Sequence, residues 1–264
     1  SDKMIGSSAA WAAGYTGAGS RIAIIDTGAD VDHPSLDPDA LKYALQGSNA
    51  TIMTEADLTD EVLNQLNAYT RKAGLTAADF YVNEKIPFGF NYVDADTDIT
   101  HDNDTQGDHG SHVTGIAAGN RFVKDEAGNY VAALDSVMTQ GVAPDAQILT
   151  MKVFGQNGGA YDSDYMVAIE DAMVLGADAA NLSLGGSFPG YSEYTEEKYR
   201  HILDEIVGRG MVVTISAGNS GSWFDQTAFG LPYAGSVNWA TNGIPGSYVN
   251  SLCVASVDNA GVTD

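Results

Sequence analysis

Short apolar runs alternate with longer amphipathic stretches along most of the chain. Residues 21–25 (RIAII), 147–154 (QILTMKVF), 180–184 (ANLSL), 211–216 (MVVTIS) and 252–257 are brief and mostly aliphatic, and they predict buried strands. Between them, residues 162–175 place Tyr165, Ile169, Ala172 and Met173 on one helical face, and residues 196–208 do the same with Tyr199, Leu203, Ile206 and Val207. Residues 113–118 form a shorter apolar helix. Buried strands that alternate with amphipathic helices specify an α/β fold whose parallel sheet is covered on both faces. No internal repeat or low-complexity tract interrupts this pattern.

Two stretches depart from the rhythm. Residues 55–74 (EADLTDEVLNQLNAYTRKAG) read as one polar amphipathic helix with Leu58, Val62, Leu66 and Tyr69 turned inward. The alternation needs nothing so long at that point, so residues 46–86 are expected to be a helical surface insertion. Residues 94–108 carry Asp94, Asp96, Asp98, Asp102, Asp104 and Asp108 and no Lys or Arg.

Composition narrows the function classes. With 264 residues and 44% hydrophobic content, the chain can bury a sizeable core and is not disordered. Its 12 Lys and Arg against 35 Asp and Glu give a net charge of −23. That balance argues against nucleic acid as a partner, because phosphate backbones need cations. No apolar run approaches the roughly 18 residues of a membrane span. The single cysteine, Cys253, has no internal disulfide partner and lies in an apolar run, as a small buried hydrophobe would. The first residues show no basic segment followed by an apolar stretch. Acidity, abundant Gly and few Lys point to an exported protein.

Candidate chemistry lies at the strand ends. Asp26 directly follows an aliphatic run, where α/β sheets gather functional groups. A carboxylate there can orient a histidine, although Asp also caps helices and closes Asx turns. His109, in Asp108-His109-Gly110-Ser111-His112, opens an apolar helix and suits a general base. His112 is read as a packed core histidine. A zinc pair would stand at i and i+4 with a Glu between, whereas these two stand at i and i+3 without one. Residues 216–221 (SAGNSG) follow another strand, and the Asn219 amide there could donate to a developing oxyanion. An ordinary Gly-Asn turn reads the same way.

Taken in order, IAIIDTGADVDHP, GDHGSHVTGIAAGN, NLSLGGS and ISAGNSG resemble the successive signatures of the subtilisin-like serine proteases. The opening segment and the insertion are closest in style to the lactocepin-type cell-envelope proteinases. The resemblance covers residues 4–257. It implies a three-layer α/β fold of subtilisin type around a mainly parallel central sheet, and endopeptidase activity on extracellular polypeptides. By the same resemblance, Asp26 holds the imidazole, His109 is the general base and Asn219 is the oxyanion donor. Ser183, Leu184 and Gly185, with Gly158 and Gly159, would be backbone segments that pair with an extended substrate.

The nucleophile breaks the pattern. The family order is Asp, His, Ser, and no Gly-Thr-Ser-Met-Ala-type signature follows Asn219. Ser8 lies ahead of Asp26, and Ser220 adjoins the oxyanion donor, so neither is expected to attack. Residues 1–264 are therefore expected to be the N-terminal portion of a catalytic domain, lacking its C-terminal part and inactive alone, with the rest of the domain supplying the serine. The alternative is a catalytically dead module that binds peptides or surfaces. A metal-dependent hydrolase built on His109 and His112 is a more distant one. No cofactor is required. Calcium is possible in the 94–108 loop, which begins like a calcium loop but has Ile99 and Thr105 where Gly and Glu are usual. A family calcium ligand after His33-Pro34 is replaced by Ser35.

Overall fold

The computed structural model describes residues 2–102, 104–186, 193–219 and 243–256. The chain divides into two compact units, Ser1–Ala180 and Asn181–Asp264.

In the first unit, β1 (Arg21–Asp26), β2 (Phe88–Asn91) and β5 (Gln147–Lys152) run parallel in the order β2-β5-β1. β5 is buried along its whole length, because it is paired on both edges and covered on both faces. Its register sets Ile24 opposite Thr150, Asp26 opposite Lys152, and Asn91 opposite Lys152. Three polar residues thus meet at the carboxyl ends of otherwise apolar strands. Ile24, Leu36, Ile86, Ile99, Ala118, Ala146 and Ile148 form one core cluster. Phe80 stacks on Phe88 with ring centroids 5.4 Å apart, and Phe90 meets Tyr92 edge-on. A small antiparallel hairpin, β3 (Phe122–Lys124) with β4 (Tyr130–Ala132), stands apart from the main sheet. Neither β2 nor this hairpin is signalled by the apolar runs: β2 reads FGFN, too short and too interrupted by Gly to register.

The helices flanking the sheet are α1 (His109–Ala118) and α2 (Asp162–Val174). In α2, Tyr165, Ile169 and Ala172 are buried as the pattern requires, while Met173 is only half-buried.

The single helix expected over residues 55–74 is instead broken. A 3-10 turn at Glu55–Asp57 is followed by short helices at Asp60–Leu63 and Asn67–Arg71. The cause is capping. Thr54 donates its backbone N–H and its hydroxyl to Asp57 Oδ2 at 2.7 and 2.9 Å, and Thr59 accepts from the Val62 amide at 3.3 Å. Each threonine starts a new helix instead of continuing the last. Asp171 of α2 starts the third, accepting the Asn67 and Ala68 amides at 2.7 and 2.9 Å. The turned chain buries Leu58 and Leu66 as expected, but Leu63 and Ala68 take the places given to Val62 and Tyr69.

In the second unit, β6 (Ala179–Leu182), which crosses the division after its second residue, neighbours β7 (Val212–Ser216), and β7 pairs parallel with β8 (Leu252–Val254). Helix α3 (Glu193–Arg209) buries Tyr199, Leu203 and Ile206. Val207, expected inward, is 57% exposed, since it sits one position off the buried stripe. Tyr199 stacks on Tyr248 with centroids 5.4 Å apart. β8 is less buried than its composition suggests: Leu252 and Val254 are exposed and Cys253 is half-buried. The result is the α/β class with a mainly parallel sheet that the alternation predicts.

Candidate active site

Strand β1 delivers Asp26 into the protein interior, where it is 1% exposed. Its Oδ1 accepts the Thr27 backbone N–H at 2.7 Å and lies 2.7 Å from His109 Nδ1. His109 is the first residue of α1, and its side chain is 51% exposed. One edge of the imidazole is therefore held by a buried carboxylate while the other is open. An ionised carboxylate only accepts hydrogen bonds, so Nδ1 carries the proton and Nε2 is left as the base.

Two glycines let the helix start this close to the strand end. A Cβ on Gly110 would fall 2.1 Å from the Gly28 carbonyl oxygen, and one on Gly28 would fall 2.3 Å from that of Ile99. Such approaches exclude any side chain. The Gly110 amide then donates to Thr27 Oγ1 at 2.8 Å. Thr27 thus holds Asp26 through its N–H and the helix start through its hydroxyl. Its carbonyl accepts Lys152 Nζ at 2.6 Å, and Lys152 also pairs with Asp104. Thr27, Lys152 and Asp104 are site residues that the motifs did not single out. A lysine inside an apolar strand was the available signal.

His112 is not the core residue expected. The buried face of α1 is Gly110, Thr114 and Ala118, and His112 lies about 200° around the helix from Gly110 at 100° per residue. It is exposed and lines a cavity of about 720 Å³ with His33, His101 and Ile116. Gly158 and Gly159 follow β5 with φ of 84° and 92°, so a left-handed backbone accounts for glycine at both positions. Ser8 lies in the helix Ser7–Ala12, and Ser220 lies outside the described residues.

In the second unit, Ser183, Leu184 and Gly185 follow β6. Ser183 Oγ accepts the Asn181 amide at 2.9 Å, and the Leu184 carbonyl accepts Ser216 Oγ at 3.1 Å. Asn219 sits exposed on the bend after β7.

The acidic 94–108 loop folds on itself. Asp94 accepts from the Asn91 side chain and the Gln156 amide, Asp96 from the Asp98 amide, and Asp98 from the Thr100 amide and hydroxyl. Asp104 is taken by Lys152 and the Gln106 amide. Among the described residues, no group of three or more His, Cys, Asp or Glu side chains is placed to hold a metal ion. At the other expected position, the Ser35 carbonyl accepts the Asn120 amide at 2.7 Å.

Residues 17–263 match the model of the subtilase family. The chain belongs to the subtilase family. It is 32% identical over 256 residues to the PI-type proteinase of Lactococcus lactis subsp. cremoris, which covers 94% of the chain and 12% of that protein. It is 30% identical to the minor extracellular protease Vpr of Bacillus subtilis, covering 82% of the chain and 20% of Vpr. With the C5a peptidase of Streptococcus pyogenes the identity is 29%, over 91% of the chain and 18% of the peptidase. This subtilase chain thus spans a fifth or less of the length of these relatives. Among its described residues, no helix is long and apolar enough to cross a membrane.

Proposed function

We propose that this chain is the Asp- and His-bearing portion of a serine endopeptidase that cleaves extracellular polypeptides. The observation that carries the reading is the 2.7 Å contact between buried Asp26 and half-open His109, in a chain of subtilase type. Asp26 fixes the tautomer and stabilises the imidazolium that forms. His109 Nε2 takes the proton of the attacking serine and returns it to the leaving amine. Asn219 donates to the tetrahedral oxyanion. Residues 183–185 and 158–159 pair with the substrate backbone as added strands.

The nucleophile is a serine outside these 264 residues, since no signature for it follows Asn219. The chain alone then hydrolyses nothing, and the rest of the catalytic domain is its obligatory partner. An extracellular or cell-wall location is supported by the printed name of the Vpr relative. Residues 46–86 are an insertion into the catalytic domain, packed through Leu58, Leu63, Leu66 and Phe80. Acyl transfer by this route needs no metal.

A fluorophosphonate probe tests the reading. Applied to the complete protein that carries this chain, it is expected to modify one serine beyond residue 264 and to leave the isolated chain unlabelled. Asp26→Asn should lower kcat about 10⁴-fold through the wrong tautomer, by analogy with the triad aspartate of serine proteases. A serine labelled within residues 1–264 overturns the assignment of the nucleophile. No labelling of the complete protein overturns the enzyme in favour of a peptide-binding module.

A further inference from the structure

Lys152 is 2% exposed, and the side chain of its partner Asp104 is 4% exposed. A buried ion pair is an expensive feature that well-packed apolar residues commonly replace without loss, so its location calls for an explanation. The pair sits where three segments of the site converge. Lys152 Nζ donates to the Thr27 carbonyl at 2.6 Å, and Thr27 is the residue whose N–H holds Asp26 and whose hydroxyl holds the start of α1. Asp104 accepts Lys152 with one oxygen and the Gln106 amide with the other, at 2.9 Å. It thereby fixes the chain three residues before His109. Gln106 in turn lies against the segment after β5: its Nε2 is 2.6 Å from where a Cβ of Gly158 would be.

We propose that Lys152 and Asp104 are positioning residues that set the Asp26–His109 geometry. They act through Thr27 on one side and through the 104–108 turn on the other. Neither touches the reacting atoms. A lysine is needed because a single ammonium must serve a carboxylate and a carbonyl in different directions, which its three donors allow. The catalytic consequence rests on the serine-peptidase reading, but the geometric one does not.

The test uses Lys152→Met, Asp104→Asn and the double variant, in the complete protein for kinetics and in the 264-residue chain for spectroscopy. Lys152→Met is expected to lower kcat about 30- to 100-fold with KM within twofold, the scale of a misplacement of about 1 Å. In chain labelled with ¹⁵N at histidine, it should weaken the downfield His109 Nδ1–H resonance, assigned by its absence in His109→Gln. Because each single variant strands a buried charge, the double variant is expected to regain thermal stability, while kcat and the resonance remain impaired.

A double variant that recovers kcat and the resonance together with its melting temperature overturns the proposal in favour of a purely structural pair. So does a Lys152→Met variant with wild-type kcat and resonance. Should either single variant fail to fold, the double variant decides between these outcomes. Should the wild-type protein ignore fluorophosphonate, the peptidase reading fails, and the resonance still decides whether the pair positions His109.

Discussion

Lys152 and Lys85 are buried to the same degree in the same unit, and the fold treats them in opposite ways. Lys152 meets a carboxylate and one carbonyl beside the Asp26–His109 pair. Among the described residues, the Lys85 ammonium donates to the Pro144 and Ala146 carbonyls, at 2.9 and 2.8 Å, and to no carboxylate. Burial pushes the Lys85 pKa down to about 7, with the nearby Asp145 charge only partly opposing the shift. Asp145 is itself engaged by Arg121 at 2.9 Å. Away from the site, then, a lysine serves as a long hydrogen-bond donor that gives up its charge cheaply. At the site, a full counter-ion accompanies the charge. The contrast teaches that burial alone does not set how a lysine is held: Lys152 has a buried counter-ion whose segment leads to His109, and Lys85 has carbonyls.

The largest effect that sharpens this contrast is on stability against pH. Folded Lys85 loses its proton near pH 7, whereas an unfolded lysine keeps it to about 10.5. Between those values the unfolded chain binds more protons, so stability rises with pH. Below pH 7 both states are protonated and the penalty of the buried ammonium is complete. One group contributes at most about 1.4 kcal/mol per pH unit, so the gain from pH 7 to 9.5 is roughly 3 kcal/mol. Lys85→Met is expected to remove that slope. Urea unfolding of both proteins at pH 6, 7.5 and 9 checks it, and equal slopes in the two proteins would refute the assignment to Lys85.

A buried anion offers the complementary test. Asp171 is fully buried and, unlike Asp104, meets no cation among the described residues. Four donors satisfy it instead: the Asn67 and Ala68 amides, the Asn67 side chain and the Tyr92 hydroxyl. Desolvation raises its pKa despite these bonds, and burial, with the charge and hydrogen bond of Asp171, holds the Tyr92 hydroxyl well above its ordinary value. Asp171→Ala leaves those donors unpaired in the interior and should cost about 2–3 kcal/mol. Hydrogen exchange should quicken first at Asn67 and Ala68. A uniform loss of protection across the first unit would show that the segment is held by packing alone.

These cases also explain what could be read from the sequence. The aliphatic strands β1, β5, β6, β7 and β8 and helix α2 were legible because apolar periodicity is local, and so were Asp26 and His109, each standing beside a recognisable run. Lys152 and Asp104 were invisible as a pair because 48 residues separate them and only the parallel register of β1 and β5 brings the lysine beside Asp26. The 55–74 segment was misread for the opposite reason. Its periodicity was genuine over short stretches, but Thr54, Thr59 and the remote Asp171 cap it three times. His112 was misplaced because it lies two positions after buried Gly110 and so on the opposite face of α1, which the short apolar run could not reveal.

The smallest effect belongs to the lysine whose pKa moves up. Lys42 bridges Asp39 at 2.8 Å and Glu84 at 3.2 Å, and the hydrogen bonds to those carboxylates push its pKa up to about 12. A raised lysine pKa means stability that is present below about 10.5 and lost as pH climbs through 12. Yet the side chain is 47% exposed, where water and salt screen both contacts and holding the side chain costs entropy. Lys42→Met should change unfolding free energy by no more than about 0.5 kcal/mol, and added salt should erase the difference. If Lys42→Met instead cost as much as Asp171→Ala, a surface bridge would be outweighing a buried carboxylate, and the ranking of these charges by burial and partner would have to be abandoned.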